Sequence, residues 1–166
     1  MDDLADLKKE AETHRRSAGD LSEEAERLMS EHAALVKKAK NLSSKAANSA
    51  RMRDECAREA ANSEGKTEAW RSRLEDRKGR DALDLSNERN QMHMHSQAAK
   101  GMRVRERRAE SERIKLEKEA EECKKRAYEL KNRANSLHRN ANSEYELYQG
   151  LTRKISKIEN KDDSGA

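Results

Sequence analysis

Apolar residues recur along most of the chain at alternating steps of three and four residues. In the C-terminal half they fall at Leu116, Ala120, Cys123, Ala127, Leu130, Ala134, Leu137, Ala141, Tyr148, Leu151, Ile155 and Ile158. This spacing is the heptad repeat of a coiled coil, and the positions on it are called the seam below. Because an apolar stripe on a helix needs a partner, the pattern predicts a long helix packed against another helix.

The N-terminal half repeats the pattern in a single register. Its seam runs through Leu4, Leu7, Ala11, His14, Ala18, Leu21, Ala25, Leu28, His32, Leu35, Ala39, Leu42 and Ala46. It continues more loosely through Ser49, Arg53, Cys56, Ala60, Ser63, Thr67, Trp70 and Leu74. The seam restarts at Leu85, Met92, Ala99, Met102 and Ala109. Two long helices are therefore predicted.

The segment between the two seams carries signals for a helix end and a helix start. Gly79 follows basic residues, as is typical of a helix C-terminus, and Asp81 can cap the next helix. Gly79 also lies almost midway between Leu4 and Ile158. This placement predicts a turn that folds two helices of nearly equal length back on each other.

The predicted fold is all-α: a long two-helix antiparallel coiled-coil hairpin with an alanine and leucine seam. The predicted bounds are helix 1 at about 3–78, the turn at about 79–81, helix 2 at about 82–159, and a disordered tail at 160–166. Residues 1–159 would form a single domain.

Antiparallel pairing allows the two halves of the seam to be compared. With the predicted turn, two residues that face each other across the hairpin have residue numbers that add up to about 162. This places Leu28 beside Ala134. A large residue meets a small one in each such layer, so the backbones can approach closely without voids. The middle of the seam is polar, and there Arg53 is predicted to pair with Glu106.

Composition offers intrinsic disorder as the main alternative to a coiled coil. The chain of 166 residues has no proline and no phenylalanine, with 42% charged and 33% hydrophobic residues. High charge with few large apolar side chains is typical of disordered chains and cannot fill a globular core of this size. The sustained seven-residue repeat favours long charged helices instead.

The sequence offers several indications of location. Its first residues, MDDLADLKKEAETHRR, are acidic and lack an apolar run, so no signal peptide is expected. No stretch approaches the roughly 18 apolar residues of a membrane span, and no membrane contact is predicted. Cys56 and Cys123 both fall on the seam, where cysteine behaves as a small hydrophobe in a reducing compartment. A cytoplasmic location is expected.

The sequence predicts no catalytic, metal or cofactor site. His93 and His95 lie two residues apart, and such residues point to different faces of a helix. The cysteines lack the companions of a zinc site, and no phosphate-binding glycine loop is present. His14 and His32 fall on the seam and are interpreted as neutral residues packed among apolar ones. The chain is predicted not to be an enzyme.

Charge is unevenly distributed. Residues 1–36 hold 5 basic and 10 acidic side chains, whereas residues 37–108 hold 19 basic and 11 acidic ones. A nucleic-acid-binding patch would comprise Lys100, Arg103, Arg105, Arg107, Arg108 and Arg51. Because aromatic residues for base stacking are nearly absent, a solvated and ion-paired face is the favoured interpretation. Association with RNA or the ribosome is the alternative.

A second candidate site is apolar. The small or apolar residues Met29, Val36, Ala50 and Ala57 flank the seam on one side of helix 1 at heptad spacing. This widened stripe is predicted to receive a further helix. The helix would come from a different protein or from a second copy of the chain, which would give a homodimeric four-helix rod.

Two stretches are similar to known families. Residues 10–14 (EAETH), 24–28 (EAERL) and 31–35 (EHAAL) resemble small archaeal coiled-coil proteins built from EAxxxH…A heptads. Residues 51–56 (RMRDEC) are similar to the helical extension that precedes some Smr nuclease domains. The resemblances imply a helical fold and no activity. The predicted function is a non-enzymatic spacer or adaptor that mediates protein–protein interaction.

Overall fold

The computed structural model of the chain describes residues 2–77 and 85–163. It contains two helices, α1 (Asp2–Asp76) and α2 (Ser86–Asp163), which pack against each other as an antiparallel hairpin. The absence of proline allows each helix to continue without interruption. The predicted fold class is confirmed.

The helix ends differ from their predicted positions by a few residues. Helix α1 ends at Asp76 rather than 78, and α2 begins at Ser86 rather than 82. Glu88 in the first turn of α2 interacts favourably with the positive end of the helix dipole. The predicted turn at 79–81 lies outside the described residues.

Helix α2 also continues past its predicted end at 159, to Asp163. Residues 160–163 are therefore helical, and the prediction of a disordered tail from 160 onward is wrong for these four. Neither glycine nor proline occurs among them, so nothing in their sequence stops the helix at 159. The remaining residues of that tail, 164–166, are outside the described part of the chain.

The chain divides into two compact units. Unit 1 comprises Met1–Lys38 with Glu122–Ala166, and unit 2 comprises Ala39–Glu121. Each unit is thus built from a segment of both helices. Each has its own set of seam residues and is described separately below.

The core of each unit consists of seam residues, and alanine dominates it. In unit 1 the buried residues are Ala11, Ala18, Ala25, Leu28, Ala127, Ala134, Ala141 and Ile155. In unit 2 they are Ala39, Leu42, Ala46, Ser49, Ala60, Leu85, Ala99, Ala109 and Ala120. All of these positions lie on the predicted seam. Seam leucines such as Leu21 and Leu137 remain half-buried, because a two-helix layer leaves long side chains open at its flanks.

Contacts between the helices define their register. The polar contacts between α1 and α2 in unit 1 include Lys8–Glu159, His14–Glu144, Glu24–Arg133 and His32 with the carbonyl of Ala127. Those in unit 2 include Arg53–Glu110 and Glu64–Arg103, and Arg77, which directly follows α1, pairs with Glu88 of α2. The paired residue numbers sum to between 157 and 167, on both sides of the predicted value of about 162. An offset of five residues corresponds to about 7.5 Å along the helix axis, a distance that long charged side chains can bridge.

Candidate functional site

One side of unit 2 carries two adjoining cavities between the helices, of about 560 and 770 Å³. The first is lined by Glu64, Thr67, Glu68 and Arg71 of α1 and by Ser96, Ala99, Lys100, Arg103, Val104 and Arg107 of α2. The second is lined by Arg53 of α1 and by Arg103, Glu106, Arg107, Glu110, Ser111 and Ile114 of α2. Arg103 and Arg107 line both cavities, which together are called the unit 2 groove.

Heptad spacing explains why these side chains share one side. Residues seven apart on a coiled-coil helix point in the same direction. This spacing relates Lys100, Arg107 and Ile114 in α2, and Ala50, Ala57, Glu64 and Arg71 in α1. The half-buried Ala50 and Ala57 of the predicted apolar stripe therefore lie on the same side of α1 as the groove-lining Glu64.

Arg103 is neutralised by two carboxylates. Its Nε and Nη2 donate to the two oxygens of Glu64 at 2.9 and 2.8 Å, and its Nη1 donates to Glu106 Oε2 at 2.9 Å. These hydrogen bonds raise the pKa of Arg103 and lower the pKa of Glu64. The guanidinium donors are thus directed at protein carboxylates and not at an external anion.

A second ion-pair cluster lies at the other end of the unit 2 groove. Glu110 accepts hydrogen bonds from Arg113 at 2.7 and 2.9 Å and from Arg53 at 3.0 Å. Arg113 and then Arg53 lower the pKa of Glu110 to about 2. The predicted pairing of Arg53 with Glu106 is wrong: Arg53 reaches one helical turn further, and Glu106 is held by Arg103 on its own helix.

The six predicted nucleic-acid-binding residues do not form one patch. Lys100, Arg103 and Arg107 line the unit 2 groove, whereas Arg51, Arg105 and Arg108 are exposed and do not line it. Residues two apart are separated by about 200° around a helix axis, so Arg103 and Arg105 point in different directions. Within residues 2–77 and 85–163, Lys100 and Arg107 form no ion pair.

Two features of the unit 2 groove were missed by sequence reasoning. The first is its apolar surface: 48% of Val104 and 41% of Ile114 remain exposed. The second is the row of carboxylates, Glu64, Glu68, Glu106 and Glu110. Comparing heights across the hairpin would not have paired Glu64 with Arg103, because their numbers sum to 167 and a sum of about 162 places Glu59 opposite Arg103.

In unit 1, the predicted apolar stripe contains Met29, which is half-buried, and Val36, which is 48% exposed. A cavity of about 530 Å³ lies between the helices of this unit. It is lined by Glu10 and His14 of α1 and by Ser143, Glu146, Leu147, Gly150, Leu151 and Lys154 of α2. Leu147 is 52% exposed, so this cavity also presents apolar surface to solvent.

The seam histidines of unit 1 have polar partners across the hairpin. His14 Nδ1 lies 2.6 Å from Glu144 Oε2, and its Nε2 lies 3.9 Å from Glu10. His32 Nδ1 donates to the carbonyl oxygen of Ala127 at 2.9 Å. Because a carbonyl oxygen only accepts, the proton of this bond is on Nδ1. These contacts add polar links to the mainly apolar seam that the sequence predicted.

The described residues contain no group of three or more His, Cys, Asp or Glu side chains that could hold a metal ion. Among them, too, neither helix has a stretch apolar enough to span a bilayer. Cys56 of unit 2 and Cys123 of unit 1 are free and half-buried.

The chain matches no protein-family model, and comparisons with curated proteins and with solved structures find no match. The resemblances to archaeal coiled-coil proteins and to Smr-associated extensions stay predictions.

Proposed function

We propose that the protein is a non-enzymatic coiled-coil adaptor and spacer, with a protein-binding surface on each unit. The observation that carries this proposal is the exposure of large apolar side chains outside the seam in both units. These are Val36, Tyr128, Tyr145 and Leu147 in unit 1 and Met52, Met94, Val104 and Ile114 in unit 2.

These apolar side chains do not contribute to closing the hairpin, since the seam residues already occupy the contact between α1 and α2. Val36, Val104 and Ile114 each leave more than two-fifths of their surface in water. Apolar residues that flank a coiled-coil seam are the positions at which a further helix packs. Val104 and Ile114 both line the unit 2 groove, and exposed apolar surface gathered in one groove is typical of interaction sites.

The absence of catalysis and a cytoplasmic location are part of the same proposal. A pair of helices offers only open clefts, which do not exclude water from a reacting group in the way that an enclosed active site does. Two unpaired, half-buried cysteines are consistent with a reducing compartment.

The test is affinity capture with the full chain, with and without nuclease treatment. Leu147→Ser alters unit 1 and Val104→Ser alters unit 2, while Asn142→Ser and Lys118→Ser are exposed polar controls in the same units. The adaptor proposal expects each apolar variant to lose a different nuclease-resistant protein partner and the controls to lose none. Partners that are retained by both apolar variants contradict it.

A second candidate function is association with RNA or the ribosome. It is supported by exposed basic side chains that form no ion pair within the described segments: Lys100, Arg51, Arg105, Arg107 and Arg108. Loss of all captured partners after nuclease treatment would favour this function over the adaptor. So would a steep fall of RNA affinity with salt, because phosphate contacts release counterions.

A further inference from the structure

We propose that the unit 2 groove binds one acidic amphipathic helix of a partner protein. Its apolar residues would contact Val104 and Ile114, and its carboxylates would pair with Lys100 and Arg107. This inference rests on the proposed adaptor function and assigns the chemistry of one of its partners.

Charge complementarity identifies the partner as acidic. Arg103 is bound by Glu64 and Glu106, and Arg53 by Glu110, so these arginines are already neutralised. Two cations of the groove form no ion pair among the described residues, Lys100 and Arg107, and they lie seven residues apart on one side of α2. Carboxylates at the same spacing on a docked helix would neutralise both.

The shape and the apolar residues of the groove favour a helix as the ligand. From Ser96 to Ile114 the lining of α2 spans about 27 Å, which equals roughly five helical turns. Val104 and Ile114 supply apolar contacts along this length, and the small Ala50 and Ala57 on the same side of α1 allow close approach of a third backbone.

The carboxylates of the groove argue against a nucleic acid as its ligand. Glu64, Glu68, Glu106 and Glu110 all line the groove and pair with Arg53, Arg71 and Arg103, so among the described residues only Lys100 and Arg107 are left in the groove to bind phosphates. A docked helix can place carboxylates opposite these two cations alone and apolar residues opposite the ion pairs. A nucleic acid cannot do so, because its charge is distributed evenly along the backbone.

The test is fluorescence anisotropy of a synthetic peptide with the full chain. The peptide is a helix of about three heptads with leucine and alanine at the seam positions and glutamate beside them. A matched peptide carries lysine in place of every glutamate. We expect the acidic peptide to bind more tightly than the basic one. The double variant Lys100→Glu, Arg107→Glu should weaken acidic-peptide binding by about tenfold or more, and Val104→Ser should weaken it as well.

The matched control is Arg105→Glu, Arg108→Glu, which reverses two exposed charges of α2 that do not line the groove. It should leave acidic-peptide affinity within about twofold, and circular dichroism should give all variants the same helicity. Equal binding of both peptides, no binding of either, or equal losses in the two double variants would overturn the inference. Tighter binding of an RNA oligonucleotide than of the acidic peptide, lost in the Lys100→Glu, Arg107→Glu variant, would also overturn it. So would a dimer in sedimentation experiments that forms through the groove, because a second copy would then be its occupant.

The two proposals fail in different ways. If the acidic peptide does not bind while nuclease-resistant partners still depend on Leu147 in unit 1, the groove assignment is wrong and the adaptor function stands. If every partner is lost on nuclease treatment, the adaptor function itself is wrong.

Discussion

Exchanging a leucine and an alanine across one seam layer tests the packing on which the hairpin depends. Leu28 is 3% exposed and Ala134 is fully buried, and the register places them in the same layer of unit 1. Leu28→Ala alone should destabilise the chain by about 2–3 kcal/mol, because a buried leucine loses its contacts and leaves a cavity. Ala134→Leu alone should cost about 1–3 kcal/mol, because it overfills the layer.

The double variant restores the volume of the layer with the two residues exchanged. We therefore expect it to lose only about 1 kcal/mol, which corresponds to a coupling energy of about 2 kcal/mol or more between the two positions. Urea denaturation followed by circular dichroism measures this. A loss of 2–3 kcal/mol lowers the midpoint by about 1 M for a typical urea dependence.

Additivity at this pair would refute the reasoning. If the loss of the double variant equals the two single losses within about 0.5 kcal/mol, Leu28 and Ala134 do not share a layer. The matched control combines Leu28→Ala with Ala11→Leu, since Ala11 is also buried in unit 1 but lies about 25 Å away along α1. That combination should be additive.

Three further predictions concern charge, backbone and topology. Glu110 has its pKa lowered from 4.5 to about 2, so its ion pairs stabilise the fold above pH 4.5 and this contribution is lost as the pH falls toward 2. Urea denaturation at several pH values measures the free energy of unfolding. In Glu110→Gln this free energy should no longer show the loss between pH 4.5 and 2 that is due to Glu110. The control Glu112→Gln, which replaces an exposed glutamate nearby, should retain that loss. Gly65→Ala and Gly101→Ala should each stabilise the chain by about 1 kcal/mol, because both glycines are helical and a Cβ would meet nothing within 4 Å. Thermal unfolding measures this gain, and unchanged stability would contradict the prediction. Spin labels at Glu24→Cys and Arg133→Cys, with Cys56 and Cys123 replaced by serine, should lie within about 25 Å in electron–electron resonance, given helix axes 8–10 Å apart. A signal that disappears on dilution with unlabelled chain would show that the contact is between molecules.

The seam could be predicted from the sequence because its period depends only on residues that are neighbours along each helix. Ala25, Ala60 and Ala134 are fully buried at positions that the three-and-four spacing alone assigns to the interior. The helix ends were harder to place, since continuation past residue 159 depends on the weak propensities of a few polar residues.

Partners of long charged side chains could not be predicted in the same way. Arg53 lies within reach of both Glu106 and Glu110, and its choice depends on Arg103 and Arg113 competing for the same carboxylates. The register between the helices fixes the height of each backbone position along the hairpin. An arginine side chain, however, can reach a carboxylate about one turn above or below that height. The sequence therefore predicts that ion pairs bridge the middle of the hairpin but not which ones form.

The six basic residues of the predicted nucleic-acid-binding patch are distributed around α1 and α2 rather than gathered on one side. Residues 37–108 carry an excess of eight positive charges, and this count alone favours nucleic acid. The helix distributes these charges around its axis, so that Arg105 and Arg108 do not line the groove that Lys100 and Arg107 line. On the groove side, carboxylates hold Arg53 and Arg103, and only two cations stay without an ion pair among the described residues. We therefore expect this surface to orient one acidic helix over Val104 and Ile114 rather than to follow a phosphate backbone.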